Sequence, residues 1–147
     1  MDLRQYTRET LRGLPGVLVI VENIKEDAEA SGLSVTELQT DVELKLAAAG
    51  IHVLPHEEWR TTMGRPWLYV SVNTIRFVTS YFFSIDLQLK QEVALRRHPA
   101  IMTSCATWEL GSIGFVGEQS LSSKIRESVA AYVDDFIADY RVANADA

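Results

Sequence analysis

The chain has 147 residues, 47% of them apolar, and a net charge of −6, enough for one domain with its own core. Its apolar runs, Val17 to Val21 for example, fall far short of the about 20 residues that cross a bilayer. Seven acids from Glu22 to Glu43 face Lys25 alone, so the net charge sits in one region; without a basic stripe to neutralise phosphates, nucleic acid is excluded as a partner.

The opening MDLRQYTRETLR fits either a short helix or a loose arm. A helix would align Arg4, Arg8 and Arg12 as a solvated face. The segment lacks the apolar core of a signal peptide, as a mature exported chain also would. Val17-Leu18-Val19-Ile20-Val21 is apolar on both faces and predicts a covered central strand. Glu22 to Gly32 reads as an acidic loop, with docking to a basic surface as its functional alternative. Ser34-Val35-Thr36-Glu37 then matches a capping box, and Leu33 and Leu38 are placed for the hydrophobic staple. Leu38, Val42 and Leu46 form a buried stripe, and Gly50 stands where a helix ends in a left-handed residue. Ile51 to Leu54 predicts a second strand, parallel to 17–21.

From Pro66 the period becomes two. Leu68, Val70 and Val72 share one face. Phe83, Ile85, Leu87, Leu89, Val93 and Leu95 share a face of the next strand, with Ser84, Asp86, Gln88, Lys90 and Glu92 opposite. One covered and one wet face predict antiparallel pairing of 68–75 with 82–93. Met102, Ala106, Trp108 and Leu110 continue the covered face in a third strand, leaving Thr103, Cys105, Thr107 and Glu109 on the other. Phe82 to Leu95 would run ~45 Å, longer than a usual strand, so it either projects beyond its partners or bends at a bulge near Gln91.

The stretch GSIGFVGEQSLSSKIRES (111–128) spaces its glycines by three and leads into a helix. It lacks both the dinucleotide spacing and the lysine of phosphate loops. It reads as a flexible connection whose helix is capped by Ser120 or Ser122, and whether it holds an anion stays open. Leu121, Ile125, Val129, Tyr132, Val133, Phe136, Ile137 and Tyr140 then form a broad helical stripe. The order β-α-β-β-β-β-α predicts an α+β two-layer sandwich: a mixed, mainly antiparallel sheet with helices on one face. Residues 1–16 form the arm or short helix, 17–141 a single domain and 142–147 a tail.

Chemistry is sparse. His52 and His56 are separated by Pro55, His56-Glu57-Glu58 lacks the second histidine of a zinc helix, and no ligand set of usual spacing exists, so no metal or other cofactor is expected. Cys105, the single cysteine, reads as a half-buried structural thiol. Two readings remain. One is an enzyme or small-ligand carrier with a pocket between helices and sheet, near Asp86, Trp108 and Glu109. The other, preferred, is a non-enzymatic domain that binds a protein partner or a second copy along the sheet edge or around Asp86, Gln88 and Lys90.

The runs TDVELKLAAAGIHVL (40–54), YFFSIDLQLKQEVAL (81–95) and KIRESVAAYVDDFIADY (124–140) resemble an uncharacterised bacterial protein family whose members are often exported. The element order is similar to small periplasmic α/β domains such as the TolB N-terminal domain and the LpoB-type activators of cell-wall synthases. The resemblance implies a periplasmic or secreted domain that binds other envelope proteins, and it brings no catalytic residues.

Overall fold

The computed structural model describes residues 2–146, so Met1 of the arm and Ala147 of the tail lie outside it. In chain order the elements are α1 (Leu3–Glu9), β1 (Leu18–Val21), α2 (Glu26–Ala30), α3 (Val35–Ala48), α4 (His56–Thr61), β2 (Trp67–Phe77), β3 (Ser80–Leu95), β4 (His98–Gly117) and α5 (Leu121–Ala143). The fold is α+β. Its four-stranded sheet runs β1-β2-β3-β4, with β1 parallel to β2 and the other pairs antiparallel.

Local signals hold where they are local. The Ser34 hydroxyl accepts from the Glu37 N–H (3.2 Å) as the cap requires. The Glu37 carboxylate turns to Arg126 instead of back to the cap (3.1 Å). At the other end Gly50 has φ +81, and the Ile51 and Gly50 N–H groups reach the Leu46 and Ala47 carbonyls, the paired bonds of a Schellman ending. Two short helices stand where the sequence suggested none. One is α2, inside the acidic stretch read as a loop; the other is α4, which starts at His56 directly after Pro55.

The expected antiparallel pairing forms, from Trp67 opposite Lys90 to Phe77 opposite Ser80. The expected pairing of 17–21 with 51–54 forms only as a bridge between Val17 and Val53. Beyond it the chain breaks away at Pro55, and the Gln39 side chain of α3 takes the Val19 carbonyl (2.7 Å) that a strand would have used. β1 finds its ladder partner in β2.

The glycine stretch is not a connection. Gly111 to Gly117 is the second half of β4, opposite Ser80 to Asp86 of β3. Between Leu89/Trp108 and Lys90/Ala106 the register slips by one, leaving Thr107 as a bulge. The extra residue lies on β4, beside Gln91, whose side-chain amide holds the Thr107 hydroxyl (2.9 Å). The slip reverses the faces beyond it. Ala106 and Met102 stand opposite Lys90 and Ala94, away from the helices, whereas Trp108 faces them. Past the bulge β3 and β4 leave β2 behind as a two-stranded ribbon, on which Cys105 is exposed and not half-buried.

The core fills the space between helices and sheet. Leu38, Val42 and Leu46 of α3 and Leu121, Ile125, Val129, Val133 and Phe136 of α5 pack on Val70, Ile85, Leu87 and Leu89. Leu11 and Leu14, just after α1, join them. The Asn144 side chain ties the end of α5 to the Leu11 carbonyl (3.1 Å) and the Gly13 N–H (2.8 Å). No described helix is long and apolar enough to cross a membrane. Helices cover one face of the sheet; the other is the outer face.

Candidate functional site

The alternation of β3 puts Asp86, Gln88 and Lys90 on the outer face, opposite Ser71, Tyr69 and Trp67 of β2. Glu109 joins them from β4, its carboxylate accepting from the Gln88 amide (3.0 Å). Trp108 does not join them. It is buried on the helical side, where its indole N–H donates to Asp139 (3.0 Å) and its ring meets Phe136 edge-on at 5.2 Å. Asp139 is itself 6% exposed and also accepts from Arg8 (3.1 Å). Trp108 is therefore a core anchor. It lies across the sheet from Asp86, but at the edge of β4 it and Glu109 line one open groove of about 490 Å³ with Arg4, Thr7 and Asp135.

Towards β1 the outer face becomes aromatic. The Lys90 ammonium lies 5.0 Å from the Trp67 ring centre and 4.7 Å from that of Tyr69, a cation held by two π-faces. Next to them Glu22 accepts from the Ser71 hydroxyl (2.8 Å). The Tyr69 and Ser71 hydroxyls hold the Glu22 carboxyl below its usual range, and Lys90 adds to the effect. Burial pushes the Tyr69 phenol up, and its bond to Glu22 pushes it further. Ile20, Trp59, Arg65, Trp67, Glu92 and Met102 line an open cleft of about 420 Å³ between α4, the sheet and the ribbon. Arg65 spans it towards Glu92 at 3.5 Å.

The opposite end, at the β2–β3 hairpin, is apolar and uncovered. Ile75 (64%), Phe77 (63%), Phe82 (52%), Phe115 (56%) and Ile113 (86%) are exposed together. Phe82 stacks on Phe115 at 4.7 Å and lies 6.4 Å from Phe77. The hairpin tip places Val78 at φ +58, a conformation that a β-branched residue rarely adopts. Exposed apolar groups in one contiguous patch mark an interaction surface, whereas scattered ones need no explanation. Sequence reasoning passed over this patch because it counted the polar members of the outer face. The signal was Tyr81-Phe82-Phe83, since in a strand three successive aromatics must turn one outward.

Between the two ends runs a polar belt of Ser71, Asn73, Ser84, Asp86, Gln88 and Glu109. Among the described residues no three His, Cys, Asp or Glu side chains converge as metal ligands would. His52 bonds Glu58 (3.0 Å) and His56 stacks near Trp59 at 5.6 Å, each at the surface. The fold and this surface define the class: an α+β domain with an open mixed sheet, one face covered by helices and the other bare apart from α4 at its β1 end. No family model matches the chain, and no curated protein matches it either.

Proposed function

We propose that the chain is a non-enzymatic domain that binds protein through the bare face of its sheet, in the bacterial envelope that the sequence resemblance implies. The observation that carries this reading is the uncovered cluster of Ile75, Phe77, Phe82, Ile113 and Phe115. Polar Asp86, Gln88 and Glu109 flank it, which is the arrangement of an apolar centre and a wet rim found in protein interfaces. Aromatic side chains supply much of the binding energy in such centres, so Phe82, stacked on Phe115, is the expected anchor. The rival reading, a carrier or enzyme with a pocket between helices and sheet, is disfavoured because core side chains fill the space between them, and the groove beside Trp108 and Glu109 at the edge of β4 is open to solvent.

The test immobilises the chain, exposes it to a bacterial envelope extract and identifies retained proteins by mass spectrometry. A reproducible partner is expected, and Phe82→Asp releases it while leaving the circular dichroism unchanged. Retention of the same partner by Phe82→Asp removes the apolar cluster from the interface. A metabolite screen that raises the melting temperature of a chain retaining nothing would put the carrier reading in its place.

A further inference from the structure

The edge strand β4 is guarded along only half its length. Towards its start it carries Pro99 and the Thr107 bulge, and the Thr10 hydroxyl after α1 covers the Thr107 carbonyl (3.4 Å). Such devices keep another strand away. From Gly111 to Gly117 there is no charge, no proline and no bulge. The Glu118 N–H to Thr79 carbonyl bond (2.9 Å) sets the phase of the ladder. Residues 112, 114 and 116 therefore exchange hydrogen bonds with β3, and the N–H and C=O groups of Gly111, Ile113, Phe115 and Gly117 point out of the sheet. Among the described residues these outward groups have no strand partner, although the Gly117 carbonyl already accepts the first bond of the turn Glu118–Ser120.

We infer that this edge pairs with the same edge of a second copy, antiparallel about a twofold axis through Gly114, joining two four-stranded sheets into one. The inference rests on the bare face being a protein-binding surface and supplies its occupant. That axis sets Gly111 opposite Gly117 of the second copy and Ile113 opposite Phe115 of the second copy. These are the outward-facing residues, so each unpaired group meets its complement. At the axis Gly114 faces itself in a pair without mutual hydrogen bonds, where Cα atoms approach to about 4.5 Å. A Cβ there would overlap the Phe83 ring of the same copy, and the glycine leaves the axis free of side chains.

Side chains and charge agree with that register. On the bare face Ile113, 86% exposed, is covered by Phe115 of the second copy. The Phe82–Phe115 stacks of the two copies become one apolar strip. Each copy carries −6, but of the acids from Glu22 to Glu43 the first directly follows β1 and the rest belong to α2 and α3, whereas β1 is at the opposite end of the strand order from β4. The copies meet by their neutral edges, which limits their repulsion. The occupant is a strand that repeats the symmetric spacing of glycines 111, 114 and 117, and this chain holds one.

Sedimentation velocity over about three decades of concentration tests the pairing. The wild-type chain is expected to show a reversible monomer–dimer transition. Ile113→Lys puts a charge into the shared strip, and Ile113→Pro removes an N–H that points outward without touching the ladder to β3. Each is expected to move the transition to concentrations higher by about tenfold or more, with circular dichroism unchanged. A chain that stays monomeric throughout, or a dimer indifferent to Ile113→Lys, overturns the inference. If the monomer still retains a partner that Phe82→Asp releases, self-pairing fails while the protein-binding reading stands.

Discussion

Asp139 shows how one side chain fixes two elements that sequence alone could not join. It lies inside the helical stripe of α5 at a position that ought to be apolar, and it is buried. Two donors justify it: Trp108 of β4 at 3.0 Å and Arg8 of α1 at 3.1 Å. A buried carboxylate needs such partners, and removing it leaves the donors orphaned. Asp139→Ala is therefore expected to cost about 2–3 kcal/mol in urea unfolding. Asp139→Asn, which can still accept from the indole, is expected to cost less. Arg8→Ala is the mildest of the three, because its side chain is 28% exposed and water replaces part of the bond. Equal losses for Asp139→Ala and Arg8→Ala would show that the ion pair, not the indole bond, carries the stability. Sequence put Trp108 on the covered face but could not give its partner: an indole on an alternating strand reads the same whether its N–H finds a ligand or a buried acid.

At the scale of the element, β4 carries the largest difference between pattern and structure. Glycines at 111, 114 and 117 suggested a loop because glycine contributes nothing to a period-two count. The strand survives because β3 supplies the missing side chain: the Phe83 ring lies over Gly114, as aromatics do over strand glycines. Gly114→Ala is then expected to destabilise by about 1–3 kcal/mol, since its Cβ meets a buried ring. Gly111→Ala meets mainly the carboxylate of exposed Asp86, which swings aside, so its midpoint in urea is expected to move less. A larger loss at Gly111 would contradict this account. Capping by Ser34, the Gly50 ending and the buried stripes of α3 and α5 were legible, because each depends on residues within a turn or two. The neighbour of β1 was not, since a short apolar run specifies burial and leaves its partner open. A bulge near Gln91 was one of two readings of the long β3 strand, but that the extra residue is Thr107 on β4, reversing Met102 and Ala106, was not legible. Of the candidate surface, Asp86, Gln88, Lys90 and Glu109 were legible as one wet face, while Phe82, Ile113 and Phe115 beside them were hidden by the same average.

The whole molecule divides into a packed body and a projecting ribbon. In the body, α3 and α5 are tied at the surface by Arg126 to Asp41 (2.8 Å) and Glu37 (3.1 Å), and by Lys45 to Asp134 (2.9 Å). These links neutralise part of the acidic region and add little each, because they face water. The ribbon, from Gln91 to Leu95 and His98 to Ala106, contributes no residue to the core. Its backing from the body is slight: the Glu92 N–H reaches the Gly64 carbonyl (2.8 Å), Arg65 reaches Glu92, and Met102 lines the open cleft shared with Trp59 and Trp67. Val93 and Thr103 are opposite each other, so replacing Ala94 to Met102 by Asn-Gly joins them through a tight hairpin turn. Gln91 and Thr107 stay in place, and with them the bulge and its contact with Thr10. The shortened chain is expected to fold and to lose no more than about 1 kcal/mol in urea unfolding, because the deleted side chains are surface groups. The environments of Trp59 and Trp67 are expected to change, as a red shift of indole emission once Met102 no longer lines their cleft. A collapse of the unfolding midpoint would instead make the ribbon part of the fold. An intact midpoint with an unshifted emission would show that Met102 does not shield the two indoles of the cleft from water.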